Sequence, residues 1–575
     1  MMQRLISALG ILLLILTTSL GANDDTNAPR LQDKVKEIQL DNGLKIVVVE
    51  RPSAPVFFSL MNFRVGSTIE QIGKSGLSHF MEHMLFKGSE TIGTKDYSIE
   101  KPIMDELEKV ATEMRDTRIS IEQWRFDMFE EYAAEVKSSI GGQGSDGEAK
   151  WVAVLNALPT DHAELPEEWQ KTSWVFSHQG HDYWADYRRV LEDRNIIADL
   201  IKQQREQIIQ THIDGIYTGH GAQMLNAFTA YDQTGYMVGL PSNCLELWMN
   251  VEADRFQNPV FREFYSEREV VQEELLGNQN NPFRFLYSNF LQGSYTAHPY
   301  GRPIIGWQND IQTTLRSEMD EHFRKFYAPN NCQMTIVGNV DAEEVFSLAR
   351  KHFSSWKTGE VAHTVTVKEP EQHGERRISV EFNAEPRLIT GYHVPAAPHP
   401  DYYPLQMVVS ILYEGRTSRF YRSIFQEQGL TAGPPMAMIG PSDRYPGMLA
   451  LIAGPNAGHT IEEVEQAMYA ELDKLKNEPV SDFEIERIHN RYQTTELTRL
   501  RSNQSLAFSL SGGFVNTGDW RSIIENYDRL MAVTPEDIQR VAKKYFTSTN
   551  RTVAFTVKPV ENIANAEVIQ GGVGQ

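Results

Sequence analysis

Two histidines and a glutamate with spacing suited to metal chemistry occur in the stretch His79-Phe80-Met81-Glu82-His83. Residues four positions apart project from the same face of a helix, so the imidazoles of His79 and His83 can reach one cation. A catalytic zinc has three protein ligands and a water, and a neighbouring carboxylate such as Glu82 can deprotonate that water. The stretch thus supplies two ligands and a base but lacks a third ligand. The alternative interpretation is two histidines in an apolar core beside an incidental glutamate.

The residues around this stretch predict the helix that must carry it. Ser75-Gly76 precedes it and Lys87-Gly88 follows it, which are typical start and stop signals of a helix. Between them, apolar side chains are frequent enough for one face to be buried: Leu77, Phe80, Met81, Met84 and Leu85.

A second predicted helix, Ser266–Leu275, offers the missing ligand. Glu267 and Glu274 are two turns apart and share one helix face. Alone, such a run of acids is more typical of a solvated helix face; together with the two histidines, it predicts a metal ligand.

Further segments resemble the inverted zinc metallopeptidases of the pitrilysin, insulinase and mitochondrial processing peptidase type, the M16 family, whose signature is H-x-x-E-H. These segments follow one another in the family's order between residues 35 and 355. They include Leu40–Leu44, Arg64–Ser67, Phe86–Ser89, His298–Gly301 and Tyr327–Asn331.

The resemblance implies one zinc ion per chain and a role for each polar residue named above. His79, His83 and Glu274 would be the zinc ligands, and Glu82 the general base. Glu273 would replace Glu274 after a shift of one position, but only Glu274 shares the helix face of Glu267. Glu267 would support the site from behind, because a carboxylate bonded to a ligand imidazole orients it and raises its basicity.

The resemblance also implies how substrate binds and how the chain folds. Asn226, Ala227, Phe228 and Thr229 are similar to the family's edge strand, which pairs with the backbone of an extended peptide. The implied fold is α+β, with two related halves arranged as a clamshell, each mainly antiparallel sheet flanked by helices. The expected boundaries are a catalytic half at 32–356, a linker at 357–376 and a non-catalytic half at 377–562.

A helical insertion is predicted at residues 98–215, because His83 and Glu274 are much farther apart than in the family pattern. Two apolar stripes at helical spacing suggest a helical hairpin. A tip rich in glycine, serine, tryptophan and acids would lie between them, and its His178 and His181 are more typical of a loop than of a metal site. The insertion is expected beside the cleft, where it would gate or select substrates; deleting it should change which peptides are cut. The stripes are Ile103, Leu107, Val110 and Met114, then Ile196, Ile197, Leu200, Ile201, Ile208 and Ile209.

The second half departs from the family in one respect that bears on catalysis. Relatives often place an arginine and a tyrosine, seven positions apart, where they hold the substrate carbonyl; here the corresponding residues are Phe425 and Ala432. Preorganised donors of that kind stabilise the developing oxyanion. Because Phe425 and Ala432 supply no such donors, we expect another group to supply them, for example one from a partner subunit.

Composition and targeting signals narrow the functional class. A formal net charge of −22 over 575 residues argues against nucleic acid and anionic membrane surfaces as partners. Arg4, the apolar run Leu5–Leu20 and the small residues before position 22 predict a secretory signal peptide at 1–22. Its removal would leave no stable membrane span and a periplasmic or extracellular protein; the alternative is an uncleaved membrane anchor. Whether Cys244 and Cys332 pair is left open.

The sequence therefore predicts an exported zinc-dependent endopeptidase that acts on peptides or unfolded segments. Two alternatives remain: a non-catalytic peptide-binding or scaffold subunit, and a catalytic subunit that requires a related partner chain. A homodimer would also be consistent with the family.

Overall fold

The computed structural model describes residues 31–140, 150–170, 173–360 and 364–559. The predicted signal peptide at 1–22, part of the insertion's tip and the end of the second half beyond 559 lie outside the described residues.

The first half is built on a six-stranded sheet with the order β1-β2-β8-β3-β7-β6. The central strands β3 and β8 are buried along nearly their whole length, because apolar clusters cover both faces of the sheet there. β2 and β8 are parallel, and the other neighbours are antiparallel. The strands are β1 (Val35–Gln39), β2 (Lys45–Glu50), β3 (Val56–Phe63), β6 (Gln223–Thr229), β7 (Thr234–Pro241) and β8 (Cys332–Gly338). A short hairpin, β4 (Ser177–His178) and β5 (His181–Asp182), lies within the insertion.

The second half repeats this topology in a five-stranded sheet with the order β11-β12-β10-β13-β9. Here β9 and β13 form the parallel pair, as β2 and β8 do in the first half. The strands are β9 (Arg376–Glu381), β10 (Leu388–Val394), β11 (Met436–Gly440), β12 (Gly447–Ala453) and β13 (Arg551–Val557). The predicted α+β class with two related, mainly antiparallel halves is confirmed.

Helices flank both sheets, and short 3-10 turns and one π-helix, Phe420–Glu427, connect them. Those up to the end of the insertion are α1 (Leu31–Lys34), α2 (Leu77–Met84), α3 (Tyr97–Ser120), α4 (Gln123–Ser139), α5 (Lys150–Ala157), α6 (Glu167–Gln170), α7 (Ser173–Phe176), α8 (Tyr183–Arg205) and α9 (His212–Gly219). The rest of the first half contains α10 (Leu245–Gln257), α11 (Phe264–Gln279), α12 (Pro282–Ser294), α13 (Gln308–Thr313), α14 (Arg316–Phe326) and α15 (Ala342–Phe353). The second half contains α16 (Tyr402–Tyr413), α17 (Ile461–Asn477), α18 (Asp482–Arg501), α19 (Asn503–Thr517), α20 (Ser522–Met531) and α21 (Pro535–Tyr545).

The insertion has a core of its own at the far end of the packed pair α3 and α8. This core is rich in aromatic side chains, among them Phe129, Phe176, Trp184 and Tyr187. The second apolar stripe differs from expectation: α8 ends at Arg205, so Ile208 and Ile209 lie in the following loop.

Each sheet is covered on one face by a helix from the other half of the chain. Leu506 and Leu510 of α19 pack against β2, β3 and β8, in one cluster with Phe58 and Leu60. In return, α12 packs on β13 and β9 through Phe290 and its neighbours. The two halves are therefore joined by reciprocal apolar contacts rather than by the 357–376 segment alone.

Two further features of the described residues bear on the predictions. Cys244 and Cys332 are both buried and free, so they do not pair in this structure. Among the residues that the structure describes, no helix is both long enough and apolar enough to cross a bilayer.

Candidate metal centre

A buried carboxylate sets the start of α2, the helix that carries the histidines. The backbone N–H groups of Gly76 and Ser78 donate to the two oxygens of Glu70, each at 2.7 Å. Burial raises the pKa of Glu70 to about 7, although these hydrogen bonds oppose the shift. Gly76 has φ +87°, and a Cβ there would lie 2.4 Å from the carbonyl oxygen of Ile305, so glycine is required.

Aromatic stacking brings α2 and α11 together. The rings of Phe80 on α2 and Phe264 on α11 stack with their centroids 4.6 Å apart. Val271 and Leu275 are buried on the side of α11 that faces the core. With the helices held this way, the side chain of Glu274 faces the two histidines.

The three predicted ligands converge. Nε2 of His79 and Nε2 of His83 each lie 3.6 Å from the same carboxylate oxygen, Oε2 of Glu274. One candidate ligand atom from each residue lies within 4.8 Å of the other two. Two ligands bound to one tetrahedral zinc at about 2.0–2.1 Å are separated by roughly 3.4 Å. The residues therefore fit a zinc ion with little adjustment.

Glu267 lies behind this set, as the family pattern implies. Its Oε1 is 2.9 Å from Nδ1 of His83, which leaves Nε2 of that ring directed at Glu274. Its Oε2 accepts from Lys87 Nζ at 2.7 Å, and Lys87 also contacts Glu263 at 3.3 Å. Burial opposes ionisation of Glu267, but the hydrogen bonds from His83 and Lys87 hold its pKa at about 2. It therefore remains a carboxylate over the whole physiological range.

The two imidazoles have different surroundings. Burial and the neighbouring His83 lower the pKa of His79 to about 4, and its Nδ1 has no hydrogen-bond partner among the described residues. Burial also disfavours the charged form of His83, but hydrogen bonds to Glu267 and Glu274 raise its pKa to about 9. The second ring is thus the more firmly oriented of the two.

The predicted base and the predicted substrate strand meet at Thr229. Burial raises the pKa of Glu82, and a hydrogen bond from the Thr229 side chain opposes this shift. Thr229 ends β6, which pairs only with β7 among the described strands and is an edge of the first sheet. Along this strand Asn226 is exposed, Ala227 is buried, and Phe228 is half-buried. The open side of β6 therefore starts at the carboxylate of Glu82.

A cavity of about 400 Å³ opens beside Glu82 and His83. Phe86, Ala227 and the loop residues 208–211 form part of its wall, and Arg262 and Glu263 also line it. Sequence reasoning missed this loop because Ile208 and Ile209 fit a helical stripe. It also missed Lys87, although the spacing of four from His83 was a signal for that residue.

The second half adds nothing to this cavity in the described part of the chain. Phe425 lies in the π-helix with its ring 5.4 Å from that of Tyr421. Ala432 donates its backbone N–H to the carbonyl of Gly454. Neither position carries a side chain that could hold a substrate carbonyl by a hydrogen bond.

Comparison with protein-family models gives matches in both halves. The model described as Insulinase (Peptidase family M16) matches residues 45–118 and 209–306, and leaves 119–208 unmatched. The model described as Peptidase M16 inactive domain matches residues 315–492.

Individual relatives agree with these matches. A zinc protease, PqqE, of Helicobacter pylori is 27% identical over 341 residues, which is 58% of this chain and 76% of the relative. An uncharacterized zinc protease, YmxG, of Bacillus subtilis is 21% identical over 325 residues, 56% of this chain and 78% of the relative.

Solved structures show the same fold. The crystal structure of a protease from Helicobacter pylori matches with a TM-score of 0.67 and 22% identity, covering 92% of this chain and all of that one. The periplasmic protease PqqL from Escherichia coli matches with a TM-score of 0.61 and 15% identity, over 92% of this chain and 48% of that one.

Proposed function

Because the chain belongs to the M16 peptidase family, we propose that it is a zinc-dependent endopeptidase whose metal is held by His79, His83 and Glu274. The observation that supports this most directly is the approach of both Nε2 atoms to one oxygen of Glu274, each at 3.6 Å. Zinc supplies, when bound, Lewis-acid activation of a water and of the scissile carbonyl.

In this proposal Glu82 is the general base. It takes a proton from the attacking water and passes the proton to the departing amine, so that the peptide bond breaks with no net change at Glu82. Its raised pKa suits both steps, since a base poised nearer neutral pH also returns the proton readily.

The substrate is proposed to be an extended peptide or unfolded segment that pairs with the open edge of β6. Backbone pairing of this kind selects extended chains more than particular side chains. A side chain next to the scissile bond would then enter the cavity of about 400 Å³ beside His83, where Phe86 and Ile208 give it apolar walls. Export is proposed as well, from the apolar segment Leu5–Leu20.

A catalytic subunit that needs a related partner is the second candidate. Phe425 and Ala432 replace the donors that relatives often use, and no described residue of the second half lines the cavity at Glu82. A second peptidase-like chain, or a second copy of this one, would then close the cleft and supply the oxyanion donors.

One experiment tests the proposal and separates it from the alternatives. The purified chain is assayed for bound zinc, and its cleavage of a mixed peptide library is followed by mass spectrometry. We expect Glu82→Gln to keep zinc but to lower kcat/KM by about 10²–10⁴-fold, because general base catalysis is lost. Glu427→Gln, the same substitution at an exposed position of the second half, is the control and should keep full activity.

The other outcomes are also informative. A chain that binds zinc but cuts nothing until a related chain is added would support the second candidate. A chain that binds no zinc would rule out the peptidase and leave a peptide-binding or scaffold role.

A further inference from the structure

A second, larger cavity lies between the insertion and the helix that carries Glu274. Its volume is about 1070 Å³, just above the roughly 300–1,000 Å³ typical of ligand sites. Side chains of α3, α4 and α8 form one wall, and side chains of α11 and α13 form the other. Much of the first wall comes from residues 119–208, which the insulinase model does not match.

The cavity and the metal centre use opposite faces of α11. At about 100° per residue, Tyr265, Glu269 and Gln272 lie on one side of the helix, whereas Glu267 and Glu274 lie on the other. The first three line the large cavity. A ligand there would therefore contact the helix of the metal site without touching the candidate zinc ligands.

Two arginines in this cavity form no ion pair with a carboxylate in the part of the chain that the structure describes. Arg118 is half-buried, lies over the ring of Phe126 and is 3.5 Å from the amide oxygen of Gln123, but it forms no ion pair with a described residue. Arg268 is half-buried, lies over the ring of Tyr265 and donates to the carbonyl of Thr314.

The Nε of Arg268 is buried and has no hydrogen-bond partner in the described structure. Half-buried guanidinium groups are normally paired with acids, because removing an unpaired charge from water is costly. These two groups therefore remain available to an anionic ligand that enters the cavity.

The charge around them is also unusual for this chain. Arg194 and Arg205 line the same cavity, and so do three carboxylates, those of Asp127, Glu130 and Glu269. Arg194 is paired with Glu130 at 2.9 Å. Burial lowers the pKa of Arg118, and the like charge of Arg194 lowers it further. Four guanidinium groups against three carboxylates leave the lining with one excess positive charge, which is a local exception in a protein of net charge −22.

We propose that this cavity binds an acidic peptide segment, with carboxylate side chains paired to Arg118 and Arg268. Guanidinium groups bind carboxylates in a bidentate way, which fixes orientation as well as charge. The remaining lining suits a peptide rather than an inorganic anion, because side-chain amides both donate to and accept from a peptide backbone. These amides are Gln123, Asn195, Gln272, Gln308, Asn309 and Gln312.

Direct binding tests this site independently of any peptidase activity. The probe is a fluorescein-labelled hexaglutamate peptide, followed by fluorescence anisotropy at low and high salt, with hexaglutamine as the uncharged control. We expect hexaglutamate to bind the full chain, hexaglutamine not to bind, and salt to weaken binding. Arg118→Gln should weaken hexaglutamate binding about ten-fold or more, because charge-assisted hydrogen bonds are lost, and adding Arg268→Gln should abolish it.

Two control variants locate the site. Arg189→Gln removes an exposed arginine of the same insertion outside the cavity, and Glu82→Gln changes the metal centre; both should keep the affinity. Melting temperatures check folding, and if the double variant is unfolded, Arg118→Gln alone decides. Unchanged binding in folded Arg118→Gln overturns the proposal. Equal displacement by inorganic phosphate also overturns it, because the cavity would then be a simple anion site.

Discussion

The helices α2 and α16 occupy corresponding places in the two halves but carry different side chains. Each follows the inner strand of its sheet, β3 or β10, in the repeated topology. α16 is buried along nearly its whole length and is almost entirely apolar, whereas α2 places His79, Glu82 and His83 where they are half-buried. One scaffold thus supports either core packing or chemistry, so the fold does not by itself decide function.

Buried carboxylates near the starts of these helices show the same division. Glu70 accepts hydrogen bonds from the first N–H groups of α2 and positions the helix of the metal centre. Asp401, just before α16, instead accepts from Arg540, Lys544 and Tyr545 of α21. In the first half the carboxylate places a reactive helix, and in the second it ties two structural helices together.

The contrast between a chemical first half and a structural second half would be wrong if a metal ligand of the first half could be removed without loss of metal. We expect Glu274→Gln to weaken zinc binding by more than the 10–100-fold loss typical of a supporting carboxylate, because a ligand atom is removed. Glu273→Gln, at the neighbouring exposed position, should leave zinc affinity unchanged. Competition with a chromogenic chelator measures both; equal losses would place the ligand assignment in error.

The helices α12 and α19, each of which covers the sheet of the other half, offer a test of whether the halves depend on each other for stability. Leu510 on α19 is fully buried against the first sheet, so Leu510→Ala should lower the free energy of unfolding by about 2–5 kcal/mol through cavity formation. Ser509→Ala on the same helix should cost far less, because among the described residues the hydroxyl bonds only to the carbonyl of Ser505. Thermal and denaturant unfolding measure the difference. A small effect of Leu510→Ala would mean that the halves are stable independently.

Glu267, which contacts a ligand rather than binding zinc itself, should contribute less to zinc affinity than the ligands do. Glu267→Gln should weaken zinc binding by about 10–100-fold, because His83 loses the carboxylate that orients it. Glu263→Gln is the matched control, since Glu263 contacts Lys87 but not a histidine. Chelator competition again gives the affinities, and an unchanged value for Glu267→Gln would remove Glu267 from the site.

The structural carboxylate of the second half should affect stability in a pH-dependent way. Hydrogen bonds from Lys544, Arg540 and Tyr545 outweigh burial, the largest single effect, and hold the pKa of Asp401 well below its usual range. Because the folded pKa lies below the unfolded one, the stabilisation is full above about pH 4 and is lost as the pH falls further.

Asp401→Asn should therefore lower the free energy of unfolding at pH 7 by about 1–2 kcal/mol. The difference in free energy of unfolding between this variant and the wild type should narrow as the pH drops below 4. Denaturant titrations at several pH values would detect this. Activity at neutral pH should persist, because Asp401 lies in the half without the metal centre. A gap that stays constant with pH would exclude this role for the carboxylate.

Local sequence determined the elements of the metal centre. His79 and His83 share a helix face at a spacing of four, and Glu267 and Glu274 share one at a spacing of seven, because helical periodicity is set by neighbouring residues. The family pattern added the pairing of these two helices. The same periodicity misplaced Ile208 and Ile209, since a stripe carries no information on where a helix ends.

Only the tertiary structure decided the rest. Lys87 joins Glu267, and α12 and α19 each cover the sheet of the other half. The arginine-lined cavity behind α11 likewise depends on how the insertion packs against a helix far along the chain. Such contacts join residues tens to hundreds of positions apart, so they follow from the packing of whole elements rather than from any local pattern.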